Sequence, residues 1–122
     1  MAAIDFILET GFDSITRHEI GLTQICLDKL QSETDVEIYG PANMESRAGV
    51  VAFNLRGVHP HDVAQVLNES GIAVRAGHHC TQVLHSKLGL QASVRLSVGV
   101  YNTEEEILRL VTSLQHVRDL LK

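Results

Sequence analysis

A chain of 122 residues is long enough for one domain with its own hydrophobic core. Its net charge of −5 argues against a nucleic-acid-binding protein, which would need clustered lysines and arginines. No apolar stretch approaches the roughly 20 residues of a membrane span, and the N-terminus lacks the basic start of a secretion signal. We therefore expect a cytoplasmic protein that binds neither nucleic acid nor a membrane.

Hydrophobic periodicity and turn residues predict an alternation of helices and strands along the whole chain. In chain order these are a helix over residues 2–10, a longer helix to about residue 32, a strand over 36–39, a loop over 42–46, a strand over 48–55, a helix from Pro60 closed by Gly71, a strand over 72–75, a short helix over 81–88, a strand over 92–98 and a final helix from about residue 103. This pattern predicts an α+β two-layer sandwich, in which long helices cover one face of a small, mostly antiparallel sheet.

Two helix starts carry recognisable N-cap signals. We expect Asp13 or Ser14 to cap the second helix, because short polar side chains accept hydrogen bonds from the first free amides. Thr103 and Glu106 have the spacing of a capping box at the last helix. The acidic run 104–106 is therefore interpreted as a favourable first turn and not as a metal site.

The two cysteines lie in different sequence contexts. Cys26 lies on the apolar stripe of the second predicted helix, which indicates a core residue. Cys80 ends the run Arg75-Ala76-Gly77-His78-His79-Cys80, where arginine and histidine neighbours favour the reactive thiolate form of a cysteine. Gly77 allows a positive φ, which close approach to a ligand often requires. Cys80 is thus a candidate nucleophile, although these residue types alone also allow a small buried cysteine.

Arg95 lies on the last predicted strand. Strand side chains alternate, so Arg95 points to the opposite face from Val94, Leu96 and Val98. The pattern allows either a solvent-facing arginine or one that binds a ligand.

The order and spacing of several motifs resemble the C-terminal part of the SUF-type cysteine desulfurases. These are pyridoxal-phosphate enzymes of the class V aminotransferase family, and selenocysteine lyases are similar. The motifs that carry the resemblance are Tyr39-Gly40-Pro41, the run 47–54, the run 57–64, the cysteine motif 75–80, Val94-Arg95-Leu96-Ser97 and the run 101–106. The resemblance covers nearly the whole chain.

The resemblance implies that a part of the enzyme is missing. In the family a larger domain precedes this segment and supplies the Schiff-base lysine, an aspartate for the pyridine nitrogen and a ring-stacking histidine. None of these can be placed here, since the lysines are Lys29, Lys87 and Lys122, outside the family's cofactor context. We therefore expect residues 1–122 to be the C-terminal small domain, with the cofactor-binding large domain absent. Alone, this chain is expected to bind no pyridoxal phosphate and to be inactive.

The resemblance also implies roles in the full enzyme. Cys80 attacks the sulfur of L-cysteine, keeps it as a persulfide and releases alanine. Arg95 holds the substrate carboxylate, and Arg75 orients the substrate or stabilises the thiolate. The other residues of the active-site loop are Gly77, His78 and His79. The expected partners are cysteine or selenocysteine, a sulfur-acceptor protein that feeds iron–sulfur cluster assembly, and the large domain, in a homodimer.

Three positions after Cys80 depart from the family pattern. Thr81, Val83 and His85 stand where the family tends to have alanine, proline and methionine. The additional imidazole of His85 allows an alternative function, a metal-binding module. Its zinc ligands would come from His78, His79, Cys80 and His85, with His59 and His61 as further candidates. The spacing of these residues matches no recurrent zinc pattern. A second alternative is a regulatory or dimerisation domain that docks on a separate cofactor-bearing chain.

Overall fold

The computed structural model describes residues 1–41 and 43–122. Within this part of the chain lie five α-helices, one 3₁₀ turn and one four-stranded sheet. The elements are α1 (Ala2–Thr10), α2 (Phe12–Gln31), β1 (Val36–Tyr39), the 3₁₀ turn Met44–Ser46, β2 (Val50–Leu55), α3 (Pro60–Glu69), β3 (Arg75–Gly77), α4 (Gln82–Lys87), β4 (Ser93–Ser97) and α5 (Glu104–Leu121). Ala42, the first residue of the predicted loop 42–46, lies outside the described residues.

The sheet has the strand order β1-β2-β4-β3, and every neighbouring pair is antiparallel. Ile38 pairs with Phe53, and Val51 pairs with Leu96, so β2 and β4 are the central strands. At the β3 edge, Arg75 pairs with Arg95. The antiparallel α+β fold predicted from the sequence is confirmed.

The core lies between one face of the sheet and helices α2, α3 and α5. Alternation along the strands turns Val51, Phe53 and Leu55 of β2 toward these helices, as it does Val94 and Leu96 of β4. Burying a side chain of this size contributes about 1.5–3 kcal/mol. Cys26 is fully buried in the same core, as its position on the apolar stripe predicts.

The other face of the sheet carries polar side chains, including Asn54, Ser93 and Arg95. Helix α4 lies on this face, since its buried His85 bonds the hydroxyl of Ser93. The long helices thus share one face as predicted, while the short α4 lies on the opposite one. This face holds the candidate site.

The predicted start of α2 is wrong. The helix begins at Phe12, and its N-cap is Gly11, which has a φ of 86°. Gly11 also ends α1, so one residue with a positive φ makes the whole break between the two helices. Asp13 lies inside the first turn, where its charge complements the helix dipole.

The predicted strand over residues 72–75 is displaced. The paired residues are Arg75–Gly77, and the register sets Gly77 opposite Ser93. The ladder ends at the pair Arg75–Arg95, and residues 71–73 line a cavity of about 240 Å³ together with residues 96–98. The strand still leads directly into the cysteine loop.

The capping box at Thr103 and Glu106 is present in the structure, which confirms the predicted start of α5. Among residues 1–41 and 43–122, no helix combines the length and apolar character needed to cross a membrane.

Candidate active site around Cys80

Cys80 is exposed on the short loop between β3 and α4. Gly77, at the end of β3, has a φ of 130°, so the positive φ expected there is observed. His79 and Cys80 also have positive φ angles, of 52° and 61°. Each non-glycine residue in this left-handed region costs roughly 1–2 kcal/mol, so contacts must hold the turn.

Hydrogen bonds from both sides of Cys80 hold this left-handed turn. The amide of Thr81 donates to the carbonyl of His78 at 2.8 Å, and the Thr81 hydroxyl donates to the same oxygen at 2.7 Å. The Nε2 of His79 donates to the carbonyl oxygen of Ser93 at 3.0 Å. At about 1 kcal/mol each, these bonds are of the size needed to offset the backbone cost.

The surroundings of the His79 imidazole favour its neutral form over the charged one. Burial is the largest cause of its lowered pKa, and the positive charges of Arg95 and Arg75 act in the same direction, against the opposing hydrogen bond to Ser93. A carbonyl oxygen only accepts, so the proton of the neutral ring lies on Nε2. His79 therefore acts as a hydrogen-bond donor that fixes the loop.

Arg75 and Arg95 lie directly opposite each other across β3 and β4. Opposed residues of an antiparallel pair have Cβ atoms about 4.5–5.5 Å apart, and like charges at that spacing repel. The Nε atom of Arg95 is also buried, with no hydrogen-bond partner within the described residues. A repelling cation pair with a buried free donor has the chemistry of a site that an anion completes.

A cavity of about 270 Å³ lies beside the loop. Its polar lining includes Arg95 and Ser93, and its apolar lining includes Leu84, Leu88 and Leu90. The remaining lining residues are Tyr39, Ala52, His79, Thr81 and His85. Cys80 is not itself a lining residue, but both of its chain neighbours, His79 and Thr81, line the cavity.

The structure brings most of the predicted site residues together at one edge of the sheet. Cys80, His79, Arg75 and Arg95 surround the cavity or lie beside its lining. His78 is exposed, and its ring meets that of His85 edge-on with centroids 5.5 Å apart.

His59 and His61 lie at the start of α3 and not in the loop. Their rings stack with centroids 5.2 Å apart, and His59 Nδ1 accepts a hydrogen bond from the His61 amide. In the described part of the chain, no group of three or more His, Cys, Asp or Glu side chains is placed to hold a metal ion. The metal-binding alternative gains no support from this geometry.

Two residues of the site were missed or only partly interpreted from the sequence. Ser93 is 1% exposed and accepts the hydrogen bond of His79 while bonding His85 through its hydroxyl. Alternation could have found it, because Ser93 shares a strand face with Arg95. From the sequence, His85 was interpreted only as a departure from the family pattern and as a candidate zinc ligand, and its contact with Ser93 was not predicted.

The side chain of Asn54 continues the pairing of β2 and β4 beyond the backbone ladder. Its Nδ2 donates to the Ala92 carbonyl at 2.9 Å, and its Oδ1 accepts from the Val94 amide at 3.3 Å. These two bonds fix the segment that carries Ser93.

The sequence profile of the Aminotransferase class-V family matches residues 1–110. The chain belongs to this family. A cysteine desulfurase of Haloferax volcanii is 45% identical over 119 residues, which cover 98% of this chain and 28% of that protein. A probable cysteine desulfurase of Halalkalibacterium halodurans is 48% identical over 118 residues, covering 97% of this chain and 28% of that protein.

Solved structures of the same family share the fold. An apo cysteine desulfurase from Thermococcus onnurineus superposes with a TM-score of 0.93 at 39% identity, covering 98% of this chain and 30% of that one. The cysteine desulfurase CsdA of Escherichia coli, in an S-sulfonic acid form, gives a TM-score of 0.88 at 27% identity, covering 99% of this chain and 29% of that one. The chain therefore spans less than a third of the length of these relatives.

Proposed function

We propose that residues 1–122 form the C-terminal small domain of a pyridoxal-phosphate-dependent cysteine desulfurase, in which Cys80 receives the sulfur of L-cysteine as a persulfide. The feature that supports this most is the exposed Cys80, held in a left-handed turn beside the Arg75–Arg95 pair. Arg95 and both chain neighbours of Cys80 line one small cavity, which suits a reaction on a bound amino acid.

Arg95 binds the substrate carboxylate in this proposal. Its buried Nε lacks a partner within the described residues, and a guanidinium matches a carboxylate with two parallel hydrogen bonds. A bound carboxylate also relieves the repulsion from Arg75 on the neighbouring strand. Arg75 is exposed, which suits a role in orienting the substrate or stabilising the thiolate.

The residues of this chain do not fit a pyridoxal phosphate site. Lys29 and Lys87 are exposed on α2 and α4, and Lys122 donates to the carboxylate of Asp35. No lysine and no carboxylate is found among the described residues that line the cavity. The cofactor, which supplies an electron sink when bound, would be held by a separate large domain.

Cys80 contributes the sulfur-accepting thiolate. Its sulfur forms a bond with the sulfur of cysteine while the carbon–sulfur bond of the substrate breaks, and the carbon takes up a proton to leave as alanine. The exposure of Cys80 suits the next step, in which a thiol of a sulfur-acceptor protein reaches the persulfide. Iron–sulfur cluster assembly is the proposed destination, in a homodimeric, cytoplasmic enzyme that uses cysteine or selenocysteine.

Alanine release from L-cysteine tests this function. We expect none from the chain alone and clear release when a folded, cofactor-loaded large domain of a cysteine desulfurase is added. Cys80→Ala should reduce release in the mixture by at least about a hundredfold, because the sulfur then has no acceptor thiol. Cys26→Ala is the matched control, since Cys26 is buried in the core, and it should retain activity.

Two results would contradict the proposal. One is undiminished alanine release by the Cys80→Ala mixture. The other is a wild-type mixture that stays inactive although the large domain is folded and cofactor-loaded and the two parts bind each other.

A further inference from the structure

His85 is buried at 6% exposure, and both of its ring nitrogens have partners. Nδ1 lies 3.0 Å from the carbonyl oxygen of Thr81, in the cysteine loop. Nε2 lies 3.0 Å from the hydroxyl oxygen of Ser93, on β4. One imidazole therefore spans the distance between the loop and the sheet.

The partners of His85 determine its tautomer. A carbonyl oxygen only accepts, so Nδ1 carries the proton and donates to Thr81. In the neutral ring Nε2 is then an acceptor, and the hydroxyl of Ser93 donates to it. This arrangement gives a partner to both ring nitrogens and to the Ser93 hydroxyl, and Nδ1 also lies 3.3 Å from the hydroxyl oxygen of Thr81.

The carbonyl oxygen of Ser93 also accepts a hydrogen bond from the imidazole of His79. The residues on either side of Cys80 are thus both tied to Ser93. His79 is tied directly, and Thr81 is tied through His85. Cys80 lies between these two anchors with a φ of 61°.

We propose that His85 is a positioning residue for Cys80, which acts with Ser93 to hold the left-handed turn that presents the thiol. Only the role of the Cys80 thiol as sulfur acceptor rests on the proposed function. The hydrogen bonds that hold the turn can be measured without any activity. Methionine, which similar enzymes tend to have at this position, would fill much the same space and make neither hydrogen bond.

Three variants separate hydrogen bonding from packing. His85→Met keeps the volume and removes both bonds, and Ser93→Ala removes only the hydroxyl partner. His85→Asn can keep a donor near the Thr81 carbonyl, because its amide nitrogen takes roughly the place of Nδ1. The matched control is His116→Met, which makes the same replacement at an exposed position on α5.

Amide hydrogen exchange in the 122-residue chain gives the first readout. The Thr81 amide bonds the His78 carbonyl within the turn, so its protection reports the closed turn. We expect His85→Met to lower that protection about thirtyfold, as loss of two hydrogen bonds of about 1 kcal/mol each would. Ser93→Ala and His85→Asn should each lower it less, by about fivefold, because one bond of the pair remains.

Two further measurements exclude a general loss of stability. The buried helical amide of Leu114 reports global unfolding, and its protection should change far less than that of Thr81. Nitrogen-15 spectra of the wild-type imidazole should show His85 protonated at Nδ1. His85→Met should also shift the backbone resonances of His79 and Cys80 away from left-handed values, while His116→Met leaves them unchanged.

With the large domain added, His85→Met should lower kcat for alanine release about tenfold and leave KM for cysteine unchanged, because Arg95 is untouched. The inference is overturned if Thr81 protection in both His85→Met and Ser93→Ala equals that of wild type, or if the wild-type ring is protonated at Nε2 alone. An inactive wild-type mixture would contradict the proposed function, whereas the exchange and tautomer results would still decide the role of His85.

Discussion

At the scale of single residues, the surroundings of the two thiols give them different chemistry. Cys26 lies fully buried against the helices, and burial raises the pKa of its thiol to about 12, despite the opposing charge of Arg47. Its reactive thiolate form is therefore scarce at neutral pH. Cys80 is exposed in a loop beside two arginines and three histidines. Only Cys80 is placed to react.

This contrast predicts selective alkylation. Iodoacetamide at neutral pH should modify Cys80 at least about a hundredfold faster than Cys26, because reaction requires both access and a thiolate. Peptide mass spectrometry at timed intervals measures the two rates separately. In the Cys80→Ala variant the fast phase should disappear, and equal rates at the two cysteines of the folded chain would refute the prediction.

At the scale of elements, an ionic network fixes the C-terminal end of α5 to the segment before β1. Arg118 bonds both Glu33 and Asp35, at 2.7 and 2.8 Å, and Lys122 bonds Asp35 as well. The pKa of the Asp35 carboxyl lies well below its usual range, mainly because Arg118 donates a hydrogen bond to the charged form. The last helix is thereby held against the sheet edge at β1.

The network predicts how stability depends on pH. Because the pKa of Asp35 is lowered on folding, its contribution is present above its ordinary value near 4 and is lost as pH falls below it. Asp35→Asn should reduce the free energy of unfolding at pH 7 by about 1–2 kcal/mol, as measured by urea denaturation. The difference from wild type should shrink as pH falls from about 4 toward 2.

Asp119→Asn provides the control for this measurement. Asp119 is exposed on the same helix and accepts a hydrogen bond from Gln115. Its replacement should change stability by less than about 0.5 kcal/mol. If Asp35→Asn has an equally small effect at pH 7, the network does not stabilise α5.

At the scale of the whole molecule, the sheet has one covered and one largely polar face. Three long helices close the first face, while α4 and the cysteine loop cover part of the second. The cavity on this second face is lined by Arg95 and by both chain neighbours of Cys80, with no lysine among its described lining residues. In the proposed function this arrangement would form one part of an active site, and the chain spans less than a third of the length of its relatives.

The expectation that no lysine of this chain binds the cofactor can be tested on the isolated chain. After incubation with pyridoxal phosphate, reduction with borohydride and removal of excess, we expect no stoichiometric pyridoxyl group on Lys29, Lys87 or Lys122. Each of these amines is exposed or ion-paired outside the cavity lining. Intact mass and peptide mapping provide the measurement, with a cofactor-loaded large domain as the positive control. A stoichiometric adduct on Lys87 would show that the loop region itself holds the cofactor.

Local sequence patterns determined the types and order of the elements, the burial of Cys26 and the capping box of Thr103 and Glu106. These features depend on residues close together in the chain, where spacing alone sets which side chains share a face. The family motif marked Cys80, Arg75 and Arg95 in advance, and their roles stay predictions.

Only the tertiary structure decided that Arg75 opposes Arg95 and that two imidazoles converge on Ser93. The paired residues 75–77 differ from the predicted strand over 72–75, because the pattern could not show that residues 71–73 line a cavity with residues 96–98. Strand register and the placement of α4 follow from packing between segments distant in sequence. For that reason, the residues that hold the cysteine loop could be identified only from the tertiary structure.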